Sequence, residues 1–206
     1  MVFKETRAKV EKGWTTTKKL LAAMSVWGLF YSLITIGQLS VAFDYDDTLV
    51  DSAKAHEKAA ASATQAASPT YWATLNNAYD QESVKLVPFS IACVARALGF
   101  RVVILAERQG VDGEALKKEW RKLAPRGFIY TPDPSSKHLH MQEGRYVAFF
   151  GDSDQDMLEA KKVNVLGVRV RRGKRSVKHG AYSPARWGGR DPALPVLARM
   201  GVRPND

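Results

Sequence analysis

Five short apolar runs frame this 206-residue chain: LSVAF (39–43), RVVILA (101–106), GFIYT (127–131), RYVAFF (145–150) and NVLGVRV (164–170). Their length and their content of Val, Ile and Phe predict strands. Between them lie segments with helical patterning at 83–99, 112–124 and 152–163, the last with Asp152 or Ser153 suited to cap it. Strand alternating with helix predicts an α/β fold, a mostly parallel sheet with helices on both faces. The Ala-rich, helix-prone stretch at about 52–80 is too long for an ordinary loop and predicts a small helical cap inserted after the first strand.

Two of the strands end in acid. VAFDYDDTLVDS (41–52) places Asp44, Asp46, Asp47 and Asp51 after an apolar run, and FFGDSDQDM (149–157) places Asp152, Asp154 and Asp156 after another. Ligands of open parallel sheets bind beyond the carboxyl ends of strands, and side chains two apart on extended chain point the same way. Asp44 and Asp46 are thereby aimed at one site, and two such clusters make a site for a hard cation such as Mg²⁺. A calcium loop is excluded, because its sixth and twelfth positions need Gly and Glu. They hold Leu49 and Ala55 counted from Asp44, and Met157 and Val163 counted from Asp152. Asp51 and Asp154 read as turn or cap residues, as does Asp47.

Composition narrows the partners. Against 21 acidic residues stand 31 Lys and Arg, a net charge of +10, which favours anionic ligands. The lone Cys93 rules out an internal disulfide or a Cys-based zinc cluster, and His138 and His140 are wrongly spaced for one helical face. The basic run RVRRGKRSVKH (169–179) contains no stacking aromatics, so a nucleic-acid partner is not expected. A homo-oligomer is left open.

Residues 1–38 differ from the rest. Residues 1–19 carry six Lys or Arg against two Glu, and no charge occurs from 20 to 43. Once LSVAF is assigned to the first strand, the apolar part has the length of a short spanning helix or of a signal sequence. Residues 39–206 would then form one domain, facing outward into a periplasm, cleaved free or anchored. The alternative is a helix packed on a cytoplasmic domain.

In FDYDDTLV and FFGDSDQDM the chain resembles the haloacid dehalogenase (HAD) superfamily of phosphohydrolases, whose motifs D-x-D-x-T and G-D-x-x-x-D follow two strands. With YWATLNNAYD (71–80) it resembles, more narrowly, the bacterial class B nonspecific acid phosphatases, from about Val41 to Val170. The resemblance implies a HAD-like Rossmannoid fold and hydrolysis of a small phosphomonoester, a nucleotide or aryl phosphate, with Mg²⁺. It makes Asp44 the nucleophile and Asp46 the general acid/base, its proton favoured by the nearby Asp44. Metal ligands would be Asp44, Asp46 through its carbonyl, and Asp152, with Asp156 beside them; Thr48 would cap the loop, and Lys137 would stabilise the transferring phosphoryl group. Tyr71, Trp72 and Tyr79 in the cap would stack on the leaving group, with Tyr182 opposite.

The second-strand motif departs from the resemblance. Class B enzymes typically carry Thr-Gly-Arg where this chain has Ala106, Glu107 and Arg108. These three are the expected phosphate contacts, and Arg108 alone matches. One lost hydrogen bond to a charged phosphate costs about 1.5–3 kcal/mol, roughly ten- to a hundredfold. A degenerate protein that binds a phosphate ligand with little turnover is therefore the competing expectation.

Overall fold

The structure, a computed structural model, describes residues 2–173, 176–177 and 181–183, with side chains from Trp14 onward. Most of the tail after Gly173, which the sequence left between loop and late strand, lies outside the described residues. In chain order the elements are α1 (Val2–Ile36), β1 (Leu39–Asp44), β2 (Val50–Asp51), α2 (Ala53–Ser62), α3 (Pro69–Asn77), β3 (Ser83–Val84), α4 (Leu86–Ala97), β4 (Arg101–Ala106), α5 (Glu114–Trp120), β5 (Phe128–Tyr130), α6 (Lys137–Gln142), β6 (Arg145–Gly151), α7 (Asp154–Lys162) and β7 (Leu166–Arg169).

The five longer strands form one parallel sheet in the order β5-β4-β1-β6-β7. After β1 the chain fills one side of the sheet through β4 and β5, then crosses to the other side through β6 and β7. The strand order therefore reverses beside β1, and the crevice above the β1 and β6 carboxyl ends is the place for a ligand.

Alternation along the strands divides the core in two. Val41 and Phe43 of β1, with Val102, Ile104 and Ala106 of β4, face Ala92 and Ala95 of α4 and Leu116 and Trp120 of α5. Ala42, Val103 and Leu105 point the other way, against Met141 of α6 and Ala160 of α7. Each large aliphatic side chain buried this way contributes about 1.5–3 kcal/mol. Phe43 and Phe150 stack with centroids 4.7 Å apart, tying the two central strands together.

Between β2 and β3 the chain leaves the sheet to form α2 and α3. The antiparallel pairs Val50 with Val84 and Asp51 with Ser83 close the base of this cap. Ser68 starts α3 by accepting the Tyr71 amide at 3.3 Å, with Pro69 in the first turn where its missing N–H costs nothing. Asp51 accepts the Ala53 amide at 3.3 Å, the turn chemistry expected of it.

Helix α1 does not lie on the domain. From Trp14 to Ile36 it is apolar and long enough to cross a membrane, with 6% of the apolar window buried. It meets the domain through its last turns, where Ile34 is 3% exposed and Tyr31 and Thr35 lie against Gly99.

Candidate active site

Asp44 ends β1, and Asp152 follows β6 on the neighbouring strand. Ser153, not Asp152, caps α7. Its hydroxyl accepts the Asp156 amide at 3.0 Å, while Asp156 Oδ2 accepts the Ser153 amide at 3.0 Å. This capping box frees Asp152 for the cleft and fixes Asp156 beneath it. Asp44, Asp152 and Asp156 are all buried, and an oxygen from each lies within 4.8 Å of the others.

Lys137 opens α6 and is completely buried. Its ammonium lies 2.7 Å from Asp44, 2.6 Å from Asp156 and 2.7 Å from Glu107. Burial alone would lower its pKa, but those three carboxylates raise it well above the ordinary lysine value. Asp44 is pushed well above the usual carboxylate range, chiefly by burial, with Asp156, Glu107 and Asp152 adding and Lys137 opposing. Burial also leads for Asp152, pushed up to about 6 with help from Asp156 and against Arg172. Converging buried carboxylates that resist ionisation are the donor set a hard divalent cation suits.

Asp46 behaves differently. Burial acts to raise its pKa, but the charge and hydrogen bonds of Arg108, together with His56, overcome that and hold it well below the usual range. Arg108 Nε donates to one carboxylate oxygen at 2.9 Å and Nη2 to the other at 2.5 Å. In the metal-free protein the two acids are thus shifted in opposite directions, Asp44 upward by burial and Asp46 downward by the buried guanidinium that faces it.

The same grip corrects the placement of Arg108. Expected at the phosphate, it is wholly buried, pairs also with Glu82 at 2.6 Å, and lies 4.8 Å over the Tyr45 ring. The cleft, about 620 Å³, is lined by Asp44, Asp46, His56, Tyr71, Trp72 and Glu107 among others, and not by Arg108, Ala106 or Tyr79. The Ala106 methyl belongs to the α4–α5 side of the core, and its carbonyl accepts the Thr131 amide at 2.7 Å and hydroxyl at 3.1 Å. Tyr79 packs against that core. Tyr71 and Trp72, edge to face at 5.2 Å, do line the cleft. Glu107 lines it as well, where its charge opposes a phosphate. Thr48 is buried, and its hydroxyl has no hydrogen-bond partner among the described residues, so the capping role expected of it does not appear.

Several site residues carry no sequence signal that singles them out. His56 on α2 bonds Tyr71 through Nδ1 at 2.7 Å and places Nε2 3.5 Å from Asp46, linking cap to site. Arg172 pairs with Asp152, and Arg169 lies 2.6 Å from Asp154. Both belong to the basic run, whose charge is thus partly turned inward. Asp47, at φ 58, makes its turn and also accepts the Ser176 hydroxyl and the Val177 amide at 3.0 Å, fastening the segment after β7 to the β1 loop. Tyr182 sits over Arg172 at 4.9 Å.

No protein-family model matches the chain. It is 25% identical over 170 residues to a class B acid phosphatase of Enterobacter sp. (strain 638), covering 74% of this chain and 71% of that one. To a class B acid phosphatase of Citrobacter rodentium (strain ICC168) it is 24% identical over 153 residues, covering 67% and 65%. The chain spans roughly two thirds of the length of these relatives. Among solved structures, CbbY from Rhodobacter sphaeroides in complex with phosphate is similar with a TM-score of 0.52 and 13% identity, over 69% of this chain and 89% of that one, a likeness of fold. In fold the chain is similar to the CbbY structure, and in sequence it is distantly similar to class B acid phosphatases, which supports the resemblance to HAD phosphohydrolases read from its motifs.

Proposed function

We propose that the chain is a magnesium-dependent phosphomonoesterase, acid-phosphatase-like, that works through an aspartyl phosphate. The observation that carries this is the meeting of Asp44, Asp152 and Asp156 within 4.8 Å, with Lys137 2.7 Å from Asp44, beside an open cleft. Asp44 and Asp152 would hold the cation together with the Asp46 carbonyl, with Asp156 behind them. Bound there, a divalent ion offsets the repulsion between the Asp44 carboxylate and the substrate phosphate.

With its proton given up to solvent, an Asp44 oxygen attacks phosphorus, the ester P–O bond breaks, and the alcohol oxygen leaves with its electron pair. Water then attacks the aspartyl phosphate, Asp46 takes the water's proton, and inorganic phosphate departs. Held as a carboxylate, Asp46 is ready for that second step. It can donate a proton to a leaving alcohol only when the grip of Arg108 loosens. Aryl phosphates, whose leaving oxygen needs little protonation, are therefore the favoured substrates, stacking against Tyr71 and Trp72. The exposed apolar α1, with basic residues on its N-terminal flank, supports a domain held at a membrane and facing outward. A role in nucleic-acid binding gains no support, since Arg169 and Arg172 are engaged with Asp154 and Asp152.

A second reading, phosphate binding without turnover, is favoured by one observation: Glu107 faces the cleft and takes up part of the charge of Lys137. Release of p-nitrophenol from p-nitrophenyl phosphate, with magnesium or with chelator, separates the two. Phosphatase action gives magnesium-dependent release that falls at least about a thousandfold in Asp44→Asn. Release no faster than that variant's background, with phosphate still bound, establishes the second reading.

A further inference from the structure

We propose that a second cavity, at the foot of the sheet, is a binding site for the headgroup of an anionic phospholipid. It is an open groove of about 990 Å³ that shares no lining residue with the cleft at the acids. Arg101 and Leu39, which begin β4 and β1, line it, so it lies at the end of the sheet opposite Asp44.

Its chemistry is that of an amphiphile site. Arg96, Arg101, Lys122 and Arg126 line it with no carboxylate among the lining residues, and among the described residues none of the four forms an ion pair. Phe89, Phe100 and Leu123 supply apolar wall. Guanidinium forks suit phosphate oxygens, and the aromatic and aliphatic surface suits the glycerol and upper acyl segments attached to them.

Position selects a lipid over a free anion. The apolar segment Trp14–Ile36 has 23 residues, about 35 Å of helix at ~1.5 Å per residue, enough for a hydrocarbon layer of ~30 Å. Gly37 and Gln38 alone separate α1 from β1, at most about 7 Å of chain. Tyr31 and Thr35, in the last turns of α1, themselves line the cavity. They seat against Gly99, whose φ of +95 and absent Cβ admit them: a Cβ there would stand 3.0 Å from each. Arg145 also donates to the Gly37 carbonyl at 3.3 Å. The four cations are thereby fixed at headgroup depth, where guanidinium and ammonium groups can meet lipid phosphates.

The inference rests on α1 being a retained membrane anchor. The test uses the full chain: alkaline extraction of membranes, then native mass spectrometry in detergent with phosphatidylglycerol, phosphatidylcholine or inorganic phosphate added. Expected are membrane retention and phosphatidylglycerol adducts that fall about tenfold or more in Arg96→Gln/Arg101→Gln/Lys122→Gln/Arg126→Gln. They should persist in Lys54→Gln/Lys58→Gln/Lys118→Gln/Lys161→Gln, which removes equal charge from other exposed positions. Unchanged hydrolysis of p-nitrophenyl phosphate shows that the first variant is folded. Equal phosphatidylglycerol and phosphatidylcholine adducts, equal losses in both variants, or phosphate binding without lipid binding each overturn the site. Release of the chain by alkali overturns it through its anchor and leaves the phosphatase reading standing.

Discussion

Arg108 grips Asp46 with two nitrogens, at 2.9 and 2.5 Å, from a position with no exposed surface. The same side chain answers Glu82, so one buried cation balances two carboxylates. Removing one partner of a buried ion network costs more than the network contributes, because the charges left behind stay desolvated. Arg108→Met should lower stability at pH 7 by about 3–5 kcal/mol, read from urea unfolding. The depressed pKa of Asp46 means its share of the stability is present above the unfolded carboxylate value of ~3.9 and lost as pH falls through the folded value. The deficit of the variant should therefore stay nearly full at pH 4 and shrink as pH falls below ~3.9. A deficit undiminished well below pH 4 would show that the loss is one of packing.

Magnesium binding should itself depend on pH. In the metal-free protein Asp152 is pushed up to about 6, so below that pH a cation must displace a proton to use it. Asp44 is shifted in the same direction. The rise in melting temperature on adding magnesium should be full near pH 7.5 and mostly gone near pH 5. An equal rise at both values would remove Asp152 from the ligand set.

What could be read ahead of the structure was local. Asp44 and Asp152 were legible because strand alternation and strand-end position are fixed within a few residues of chain. Lys137 was legible only through the family resemblance, since nothing local marks it among 31 basic residues. The direction of Arg108 was not, because it is set by Glu82 and Tyr45, distant in sequence, which form a buried polar niche behind the cleft. The opposite shifts of Asp44 and Asp46 were not legible for the same reason: two nearby carboxylates look equivalent until a buried guanidinium faces one. Parity along β4 groups Ala106 with Val102 and Ile104, but which face meets α4 and α5 depends on packing. His56 sits in an Ala-rich helix with nothing local to mark it, and its role appears only when α3 brings Tyr71 to its ring.

Glu107 should weaken phosphate binding. Its carboxylate lies 2.7 Å from the Lys137 ammonium and is one-quarter exposed, in the cleft lining. Glu107→Gln removes one negative charge from the approach of a dianionic substrate and leaves Lys137 paired with Asp44 and Asp156. The inhibition constant of inorganic phosphate should fall about three- to tenfold, roughly 0.7–1.4 kcal/mol, with KM falling more than kcat changes. An unchanged constant would place Glu107 outside the field the phosphate senses.

Gly151, the last residue of β6, should tolerate no side chain. A Cβ there would stand 2.5 Å from the Cβ of Asp156 and 2.7 Å from its Oδ2, and Asp156 cannot retreat, since Ser153 and Lys137 hold both its oxygens. Gly151→Ala therefore pushes on the residue that joins the α7 cap to Lys137. The overpacking should cost about 1–3 kcal/mol, and the disturbed capping box adds to it. Magnesium affinity should fall with stability, because Asp156 and Asp44 share Lys137. Gly28→Ala provides the contrast: nothing lies within 4 Å of its Cβ position on the exposed α1, so stability and metal binding should hold. If Gly151→Ala lost stability but bound magnesium as before, Asp156 would serve the helix cap alone, and the coupling through Lys137 would be absent.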